Sequence, residues 1–165
     1  MKVAIEDLFV GIAPSEYEAI YFDEVFNEAL GRELRLGRKL LHLERTKDRI
    51  VRHVCFEPHQ DPDSPAKQAF GTSRASFVEE LDYDMRARRG AWRTIPNMFR
   101  ERVQNAGTIE LVDAPSGMKR IVRGEVKVSL FGFGRVVEKM IVAEIVKSYV
   151  HTTKFTNDWL AKRAH

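Results

Sequence analysis

Residues 130–146 read LFGFGRVVEKMIVAEIV and carry the pattern that bears most on the fold. Gly132 and Gly134 flank one phenylalanine, and the apolar positions that follow recur at helical spacing. Two explanations are open: a loop that cradles a phosphate, or a hinge that turns the chain from a strand into a helix. A Rossmann site needs a third glycine, and a Walker loop needs Gly-Lys-Ser/Thr. Neither pattern is present, so the hinge is favoured.

The helix after this hinge is predicted to run from Arg135 to about Leu160, which makes it the longest element of the chain. Its apolar positions form a wide stripe, and its charged residues lie off to one side. Thr152 and Thr153 weaken helix propensity, so a bend is expected near them.

A strand and two short helices are predicted at the start of the chain. The range Lys2–Ile12 alternates loosely and is rich in Val, Ile and Phe, which is typical of a strand. Ser15 followed by Glu18 fits a capping box at the start of the first helix. Asp23 is expected to cap the second helix, and Gly31 to end it.

The sequence of residues 34–130 contains no convincing helix pattern and predicts six strands. Their ranges are 34–45, 49–57, 74–87, 91–95, 108–112 and 118–130. Residues 58–73 carry three prolines without periodicity, which predicts a loop. Strands with one apolar and one charged face belong to an antiparallel sheet with one wet face. Burying the long helix requires this sheet to curl around it.

Length and composition predict one globular domain, residues 1–165. Hydrophobic residues make up 44% and charged residues 31%, an ordinary balance for such a domain. A single cysteine, Cys55, excludes an intrachain disulfide and favours a reducing compartment. The N-terminus lacks the apolar segment of a secretory signal, and no apolar run reaches ~18 residues. We therefore expect a cytoplasmic protein without a metal or cofactor.

The net charge is +3, but the basic residues are concentrated between Met85 and Val103, where six arginines face one acid. One explanation is a patch that steers an anionic partner. It predicts peripheral contact with an anionic membrane through Arg86, Arg88, Arg89 and Arg93. The favoured alternative is a solvated strand face whose arginines pair with nearby carboxylates. No nucleic-acid motif accompanies these arginines, so nucleic-acid binding is not expected.

The order of elements, together with residues Gly132–Glu138, resembles the START-like superfamily, the group of polyketide cyclases and birch-pollen-allergen-like proteins. In that superfamily a strand ends in a Phe-Gly turn, and a glutamate follows in the first turns of the C-terminal helix. The sequence is most similar to an uncharacterised bacterial branch, the domain-of-unknown-function 2505 family. The resemblance implies an α+β helix-grip fold. Its curved antiparallel sheet of about seven strands surrounds the long C-terminal helix, and two short helices follow the first strand.

The resemblance also implies an apolar ligand, such as a lipid, sterol or polyketide, between the sheet and the long helix. The alternative is that the same residues fill the core and leave no cavity. The candidate lining residues are Phe77, Glu79, Leu81, Tyr83, Trp92, Ile95, Met98, Ile109, Leu111, Val126, Val128, Met140, Ile141 and Ile145.

Glu79 is the polar member of this set. It shares strand parity with apolar neighbours, which would direct its carboxylate inward. A buried carboxylate needs a partner, such as His53, His42 or a ligand hydroxyl, and would serve as a polar anchor or a general acid. A bulge at Glu79 and Glu80 that turns both residues to solvent is the preferred alternative.

Three functions remain open on this basis. The first is noncatalytic binding or transport of a hydrophobic, lipid-like molecule. The second is an aromatase/cyclase-like enzyme acting on a polyketide-type substrate, which requires several polar residues converging inside the cavity. The third is a protein-interaction module with a filled core. No catalytic residue is assigned, because His42, His53 and Cys55 lack an identifiable catalytic arrangement.

Overall fold

The computed structural model describes residues 1–59 and 75–164, and within them the predicted α+β order is confirmed. The strands are β1 (Lys2–Val10), β2 (Leu36–Arg45), β3 (Arg49–Pro58), β4 (Phe77–Asp84), β5 (Arg89–Pro96), β6 (Val103–Ala114) and β7 (Gly117–Val128). The helices are α1 (Pro14–Tyr21), α2 (Glu24–Glu33) and α3 (Gly134–Arg163). Residues 60–73 of the loop predicted at 58–73 lie outside the described residues.

The seven strands form one open antiparallel sheet in the order β1-β7-β6-β5-β4-β3-β2. Its concave face holds the helices, and α3 packs closest to β7, β1 and α2. Apolar side chains on this face form two clusters. One lies beneath α1, α2 and the C-terminal part of α3, where Phe26 packs edge-on against Trp159 with 5.4 Å between ring centroids. The other lies between β1, β7 and the N-terminal half of α3.

The alternation predicted for the strands is confirmed at β4 and β7. On β4, Leu81 and Tyr83 are buried while Asp82 and Asp84 are exposed. On β7 the even-numbered positions are mostly buried and the odd-numbered charges are exposed. These strands are therefore one-sided, with a covered concave face and a wet convex face.

The glycines at the start of α3 act as the predicted hinge, Gly132 just before the helix and Gly134 as its first residue. Gly132 has a φ of +77°, a conformation that residues with a side chain rarely adopt. At Gly134, a Cβ atom would lie 2.4 Å from the carbonyl oxygen of Val128. The carboxylate of Glu138 then accepts a hydrogen bond from the Val128 amide at 3.0 Å, which ties the first turn of α3 to the last residue of β7.

Two predicted features of the short helices differ in the structure. Ala13, rather than Ser15, precedes α1, because Pro14 occupies the first helical position and Glu16 accepts a hydrogen bond from the Ala13 amide at 2.7 Å. The predicted cap of α2 is confirmed, since Asp23 accepts from the Val25 amide at 3.2 Å. Gly31 does not end α2, which continues to Glu33.

Helix α3 continues through Thr152 and Thr153, where weak propensity suggested a bend. Both hydroxyls donate to the carbonyl four residues earlier, at 2.8 Å in each case. These bonds satisfy the hydroxyls within the helix.

Within the part of the chain that is described, no helix combines the length and the apolar character needed to cross a membrane.

Candidate functional site

Three polar side chains form a row across the concave face, and we call them the polar row. Glu79 on β4 is paired with Thr94 on β5, and Thr94 is paired with Asn105 on β6. Residues that are directly opposite each other in neighbouring strands share one face of the sheet. The Asn105 Nδ2 atom donates a hydrogen bond to Thr94 Oγ1 at 2.8 Å. The polar row therefore interrupts an otherwise apolar surface.

The bulge preferred for Glu79 is absent, so that expectation is wrong. Pairing is regular on both sides of Glu79, with Val54 on β3 and with Thr94 on β5. The partner of its carboxylate is Arg52, whose Nη2 atom lies 3.5 Å from Glu79 Oε1, rather than either proposed histidine. Glu79 keeps 27% of its side chain exposed, which places it at the boundary between the interior and solvent.

Arg52 is the buried member of this pair, with only 5% of its side chain exposed. Its Nη1 atom donates to the carbonyl oxygen of Tyr21 at 3.4 Å. Its guanidinium lies 5.2 Å from the ring centroid of Tyr21 and 5.5 Å from that of Phe22. Contacts from the end of α1 therefore position this charge over the concave face.

A pair of glycines makes room for Trp92 beside the polar row. Gly107 on β6 and Gly124 on β7 are directly paired. A Cβ atom would come within 2.7 Å of the Trp92 ring at Gly107 and within 2.8 Å at Gly124. The indole therefore lies against two neighbouring strands. A larger residue at either glycine would clash with its ring.

Three buried polar atoms of this region have no hydrogen-bond partner among the described residues: Trp92 Nε1, Arg52 Nε and Asn105 Oδ1. Leaving one such atom unpaired costs about 1–3 kcal/mol. Two of these atoms are donors and one is an acceptor, and the Glu79 carboxylate supplies further acceptors. Donor and acceptor groups that the described residues leave unpaired therefore lie together at and beside the polar row.

Burial changes along the concave face. At the polar row, Glu79 and Thr94 are half-buried, as is Trp92 next to it. Further along β4, Leu81 and Tyr83 are buried, and the Tyr83 hydroxyl donates to Glu18 on α1 at 2.7 Å. Helices α1 and α2 therefore cover one end of the face, and the face is more accessible at the polar row.

Two tyrosines face the same region from the helices. Burial raises the pKa of Tyr21 to about 12, and it also raises the pKa of Tyr149 on α3. The negative charge of Glu79 contributes to both shifts. Both residues nevertheless keep accessible surface. Both side chains pack against the buried cluster beneath α1, α2 and the C-terminal part of α3.

Arg120 supports this arrangement from beneath α3, with 1% of its side chain exposed. It donates to the Asp7 carboxylate at 2.6 Å, to the Tyr17 hydroxyl at 2.7 Å and to Thr153 Oγ1 at 2.8 Å. Its guanidinium lies 4.8 Å from the ring centroid of Tyr149. One buried cation thus joins β7, β1, α1 and α3.

Most of the predicted lining residues lie on the concave face. These strand residues are Phe77, Glu79, Leu81, Tyr83, Trp92, Ile109, Leu111, Val126 and Val128. On α3, Ile141 and Ile145 pack against the cluster beside β7, and Met140 is half-buried. Met98 is half-buried in the turn after β5.

Ile95 is placed differently. It is paired with Val78 on the face opposite Trp92, and it borders an outer pocket together with Arg100. It does not share a face with the polar row. The binding role of all the predicted lining residues stays a prediction.

The remaining candidates of the sequence lie away from the polar row. The rings of His42 and His53 are 5.2 Å apart between β2 and β3, and Cys55 is a free thiol on the same face of β3 as His53. Within residues 1–59 and 75–164, no group of three or more His, Cys, Asp or Glu side chains is arranged to hold a metal ion.

The predicted basic patch is largely paired. Arg86 lies 2.8 Å from Asp48, Arg88 lies 3.8 Å from Asp113, and Arg93 forms an ion pair with Glu80. Arg89 is exposed. The pairing expected of a solvated strand face is therefore present at three of the four arginines.

Similarity to known proteins is consistent with this architecture. A family model described as "Protein of unknown function (DUF2505)" matches residues 68–160, more than half of the chain. No curated protein matches the sequence.

Among solved structures, TTHA0849 from Thermus thermophilus is 13% identical, with all of both chains covered and a TM-score of 0.64. The di-domain ARO/CYC StfQ from the steffimycin biosynthetic pathway is 12% identical. The match covers 99% of this chain and 52% of that one, also with a TM-score of 0.64. These likenesses show the fold, a helix-grip arrangement of the START-like kind. The chain belongs to the DUF2505 family of proteins of unknown function.

Proposed function

We propose that the protein binds a mostly hydrophobic small molecule, lipid-like in its apolar body, between the concave sheet and α3, without transforming it. The observation that carries this proposal is the polar row. Unpaired buried donors and an acceptor lie beside it on an otherwise apolar and partly accessible face. Ligand sites in proteins commonly combine an apolar lining with a few convergent polar groups.

The apolar part of the ligand would contact side chains on both sides of this space. Phe77 on β4 lies two residues from Glu79, and Val126 on β7 is paired with Asn105 on β6. Ile141 and Ile145 on α3 are half-buried and pack against the cluster at β7. Removing apolar ligand surface from water at such a site contributes about 25 cal/mol per Å².

The polar part of the ligand would meet the unpaired atoms. Trp92 Nε1 and Arg52 Nε would donate to a ligand oxygen, and Asn105 Oδ1 or Glu79 would accept from a ligand hydroxyl. Each such bond contributes about 0.5–1.5 kcal/mol. A hydroxyl or carbonyl group suits this set better than the carboxylate of a fatty acid, which would face the charge of Glu79.

An aromatase/cyclase-like enzyme is the second candidate, and two observations favour it. Several polar side chains converge on one interior region, including Tyr21 and Tyr149 along with the polar row. The fold also resembles that of StfQ, which is described as an ARO/CYC. In such an enzyme, Glu79 would move protons as a general acid or base. A filled-core interaction module is the third candidate, and the packing of Tyr21 and Tyr149 against the buried cluster is compatible with it.

The first experiment is native mass spectrometry of the protein purified from cells, followed by organic extraction and identification of bound molecules. A hydrophobic, oxygen-bearing compound in near-stoichiometric amount would support the binding function. Recovery of the compound in cyclised form after incubation with a linear precursor would support the enzyme. An unliganded mass, with no uptake of naphthol or of a fluorescent fatty acid, would refute both.

The site itself is tested by titrating Asn105→Ala with naphthol and following Trp92 fluorescence, with Trp92→Phe defining the background from Trp159. Loss of the Asn105 amide is expected to weaken binding about tenfold, since both an acceptor and a packed side chain are removed. Asn157→Ala is the matched control, because Asn157 is exposed on α3. Equal affinities of the Asn105→Ala and wild-type proteins would place the ligand elsewhere.

A further inference from the structure

Apolar side chains project from the turn that joins β7 to α3. Phe131 is fully exposed, Phe133 keeps 70% of its surface exposed, and Val136 follows in the first turn of α3 with 57%. Scattered exposed apolar residues are ordinary, but several large ones within six positions form a continuous patch. Such patches mark contact sites for partners or membranes.

The turn between β5 and β6 adjoins this patch. The Ser129 amide donates to the carbonyl oxygen of Arg102 at 2.8 Å, and Val103 is paired with Val128. Residues 98–102 and 129–139 therefore form one surface at one end of the sheet, and we call it the tip.

Exposed cations surround the phenylalanines of the tip. Arg100 and Arg102 lie on the β5–β6 turn, and Arg135 and Lys139 lie at the start of α3. Within the described parts of the chain, none of these four forms an ion pair. They differ in this respect from Arg86, Arg88 and Arg93, which pair with carboxylates.

Two acids lie near these cations and offset part of their charge, and one of them, Glu138, interacts electrostatically with Arg135. Glu101 is exposed between two arginines, and Glu138 accepts from the Val128 amide. The four cations therefore leave the tip with a positive balance. Apolar side chains rimmed by uncompensated positive charge complement a surface that is negatively charged and has an apolar interior.

The tip also lies at the end of the sheet that carries the polar row, away from α1. Val103 and Val128, which border the tip, are one cross-strand row beyond Asn105 and Val126 of the proposed site. Phe77 and Pro96 occupy the corresponding positions on β4 and β5. A membrane in contact with the tip would thus meet the protein beside this end of the site.

We propose that the tip docks on an anionic lipid membrane, with Phe131 and Phe133 inserted among the lipid chains and the four cations against the headgroups. We propose this surface as the membrane contact in place of Arg86, Arg88, Arg89 and Arg93. The inference does not depend on which ligand the interior binds.

The test is co-sedimentation with vesicles of phosphatidylcholine alone and of equal parts phosphatidylcholine and phosphatidylglycerol. Wild-type protein is expected to bind the anionic vesicles and to remain in the supernatant with the neutral ones. The double variant Phe131→Ser/Phe133→Ser is expected to bind at least about tenfold more weakly, because two apolar anchors are removed. Arg100→Glu/Arg135→Glu is expected to lose binding to a similar or larger extent.

The matched control is Arg89→Glu/Arg123→Glu, which reverses two exposed charges outside the tip. This control should retain most of the binding, and circular dichroism should show all variants folded. The proposal fails if wild-type protein binds neither vesicle or binds both equally, if the Phe variant binds as wild type, or if the control loses as much as the tip variants. It also fails if light scattering shows a dimer that the Phe variant converts to monomer, since the tip would then contact a second copy.

Discussion

At the scale of single residues, two arginines on the concave face differ from the arginines on the convex face in their interaction partners. Arg52 lies among aromatic rings with a loosely held carboxylate, and Arg120 donates to Asp7, Tyr17 and Thr153. Arg49, three positions from Arg52 on the same strand, forms an exposed ion pair with Asp82. Burial makes the first two charges dependent on their partners, whereas water solvates the third.

Replacing Arg52 by Met tests this dependence. Arg52→Met is expected to lower the free energy of unfolding by about 1–2 kcal/mol, because Glu79 loses its partner while remaining partly buried. Urea denaturation measures the change. Adding Glu79→Gln to Arg52→Met should recover part of the loss, which would show that the two side chains are coupled.

Arg49→Met on the same strand is the control, and its effect should be much smaller. If Arg49→Met and Arg52→Met change stability equally, the interior pair contributes nothing beyond a surface ion pair.

The alternation of the strands carries a signal for both buried arginines. Arg52 has the strand parity of Ile50 and Val54, and Arg120 has that of Met118 and Val122. The same alternation singles out Glu79. Periodicity shows which charges face inward, but it does not show which carboxylate or ring on another element meets them. The partner of Glu79 could therefore not be predicted, and without a visible partner the sequence favours a bulge over an ion pair.

At the scale of elements, the junction of β7 and α3 fixes how the long helix meets the sheet. Gly132 supplies a left-handed backbone conformation with open space around it, while Gly134 lies against the carbonyl of Val128. The two glycines are thus required for different reasons. The first is needed for its backbone angle and the second for its lack of a side chain.

Substitutions at the two positions should separate these reasons. Gly134→Ala is expected to lower the free energy of unfolding by about 1–3 kcal/mol, because backbone must move to accommodate the Cβ atom. Gly132→Asn should cost less, since asparagine tolerates positive φ and nothing lies within 4 Å of a Cβ atom there. Thermal unfolding followed by circular dichroism compares them. A larger loss for Gly132→Asn would contradict the proposed division of roles.

The existence of the strands, the order of elements and the hinge were predictable because each depends on local pattern, but the range predicted at 108–112 fell short of β6, which runs from Val103 to Ala114. The start of α1 was not predictable, since Pro14 and Glu16 outweighed the capping box expected at Ser15. The continuation of α3 through Thr152 and Thr153 was not evident from propensity either, since both threonine hydroxyls bond within the helix and Thr153 additionally accepts from Arg120. Long-range contacts of this kind are invisible to helix propensity.

At the scale of the whole molecule, burial raises the pKa of all four tyrosines of the chain. Unfolded tyrosines ionise near pH 10. Between about pH 10 and the higher folded-state pKa values, the unfolded chain would lose protons that the folded protein keeps. Stability contributed by the neutral tyrosines is therefore complete below pH 10 and declines as the pH rises above it.

An alkaline titration followed by phenolate absorbance should therefore show little ionisation near pH 10 while the protein stays folded. Ionisation and loss of the circular dichroism signal should then occur together at higher pH. Tyr21, with a pKa of about 12, is expected to ionise within this range. Free phenolate near pH 10 in a protein with native circular dichroism would show that these side chains are more accessible to water than the structure indicates.

The pairing of β1 with β7 has a consequence for how the chain reaches its native state. Lys2 is opposite Glu125 in this pair, so the first strand along the chain pairs with the last one. Most of the chain must therefore leave the ribosome before β1 can pair with β7. Until then, α1 and α2 are the only elements close to β1 in the sequence. Contacts between such distant residues slow folding, typically to milliseconds or seconds. A nascent chain stalled before β7 would leave an apolar strand without its neighbour, exposed to chaperones and to aggregation.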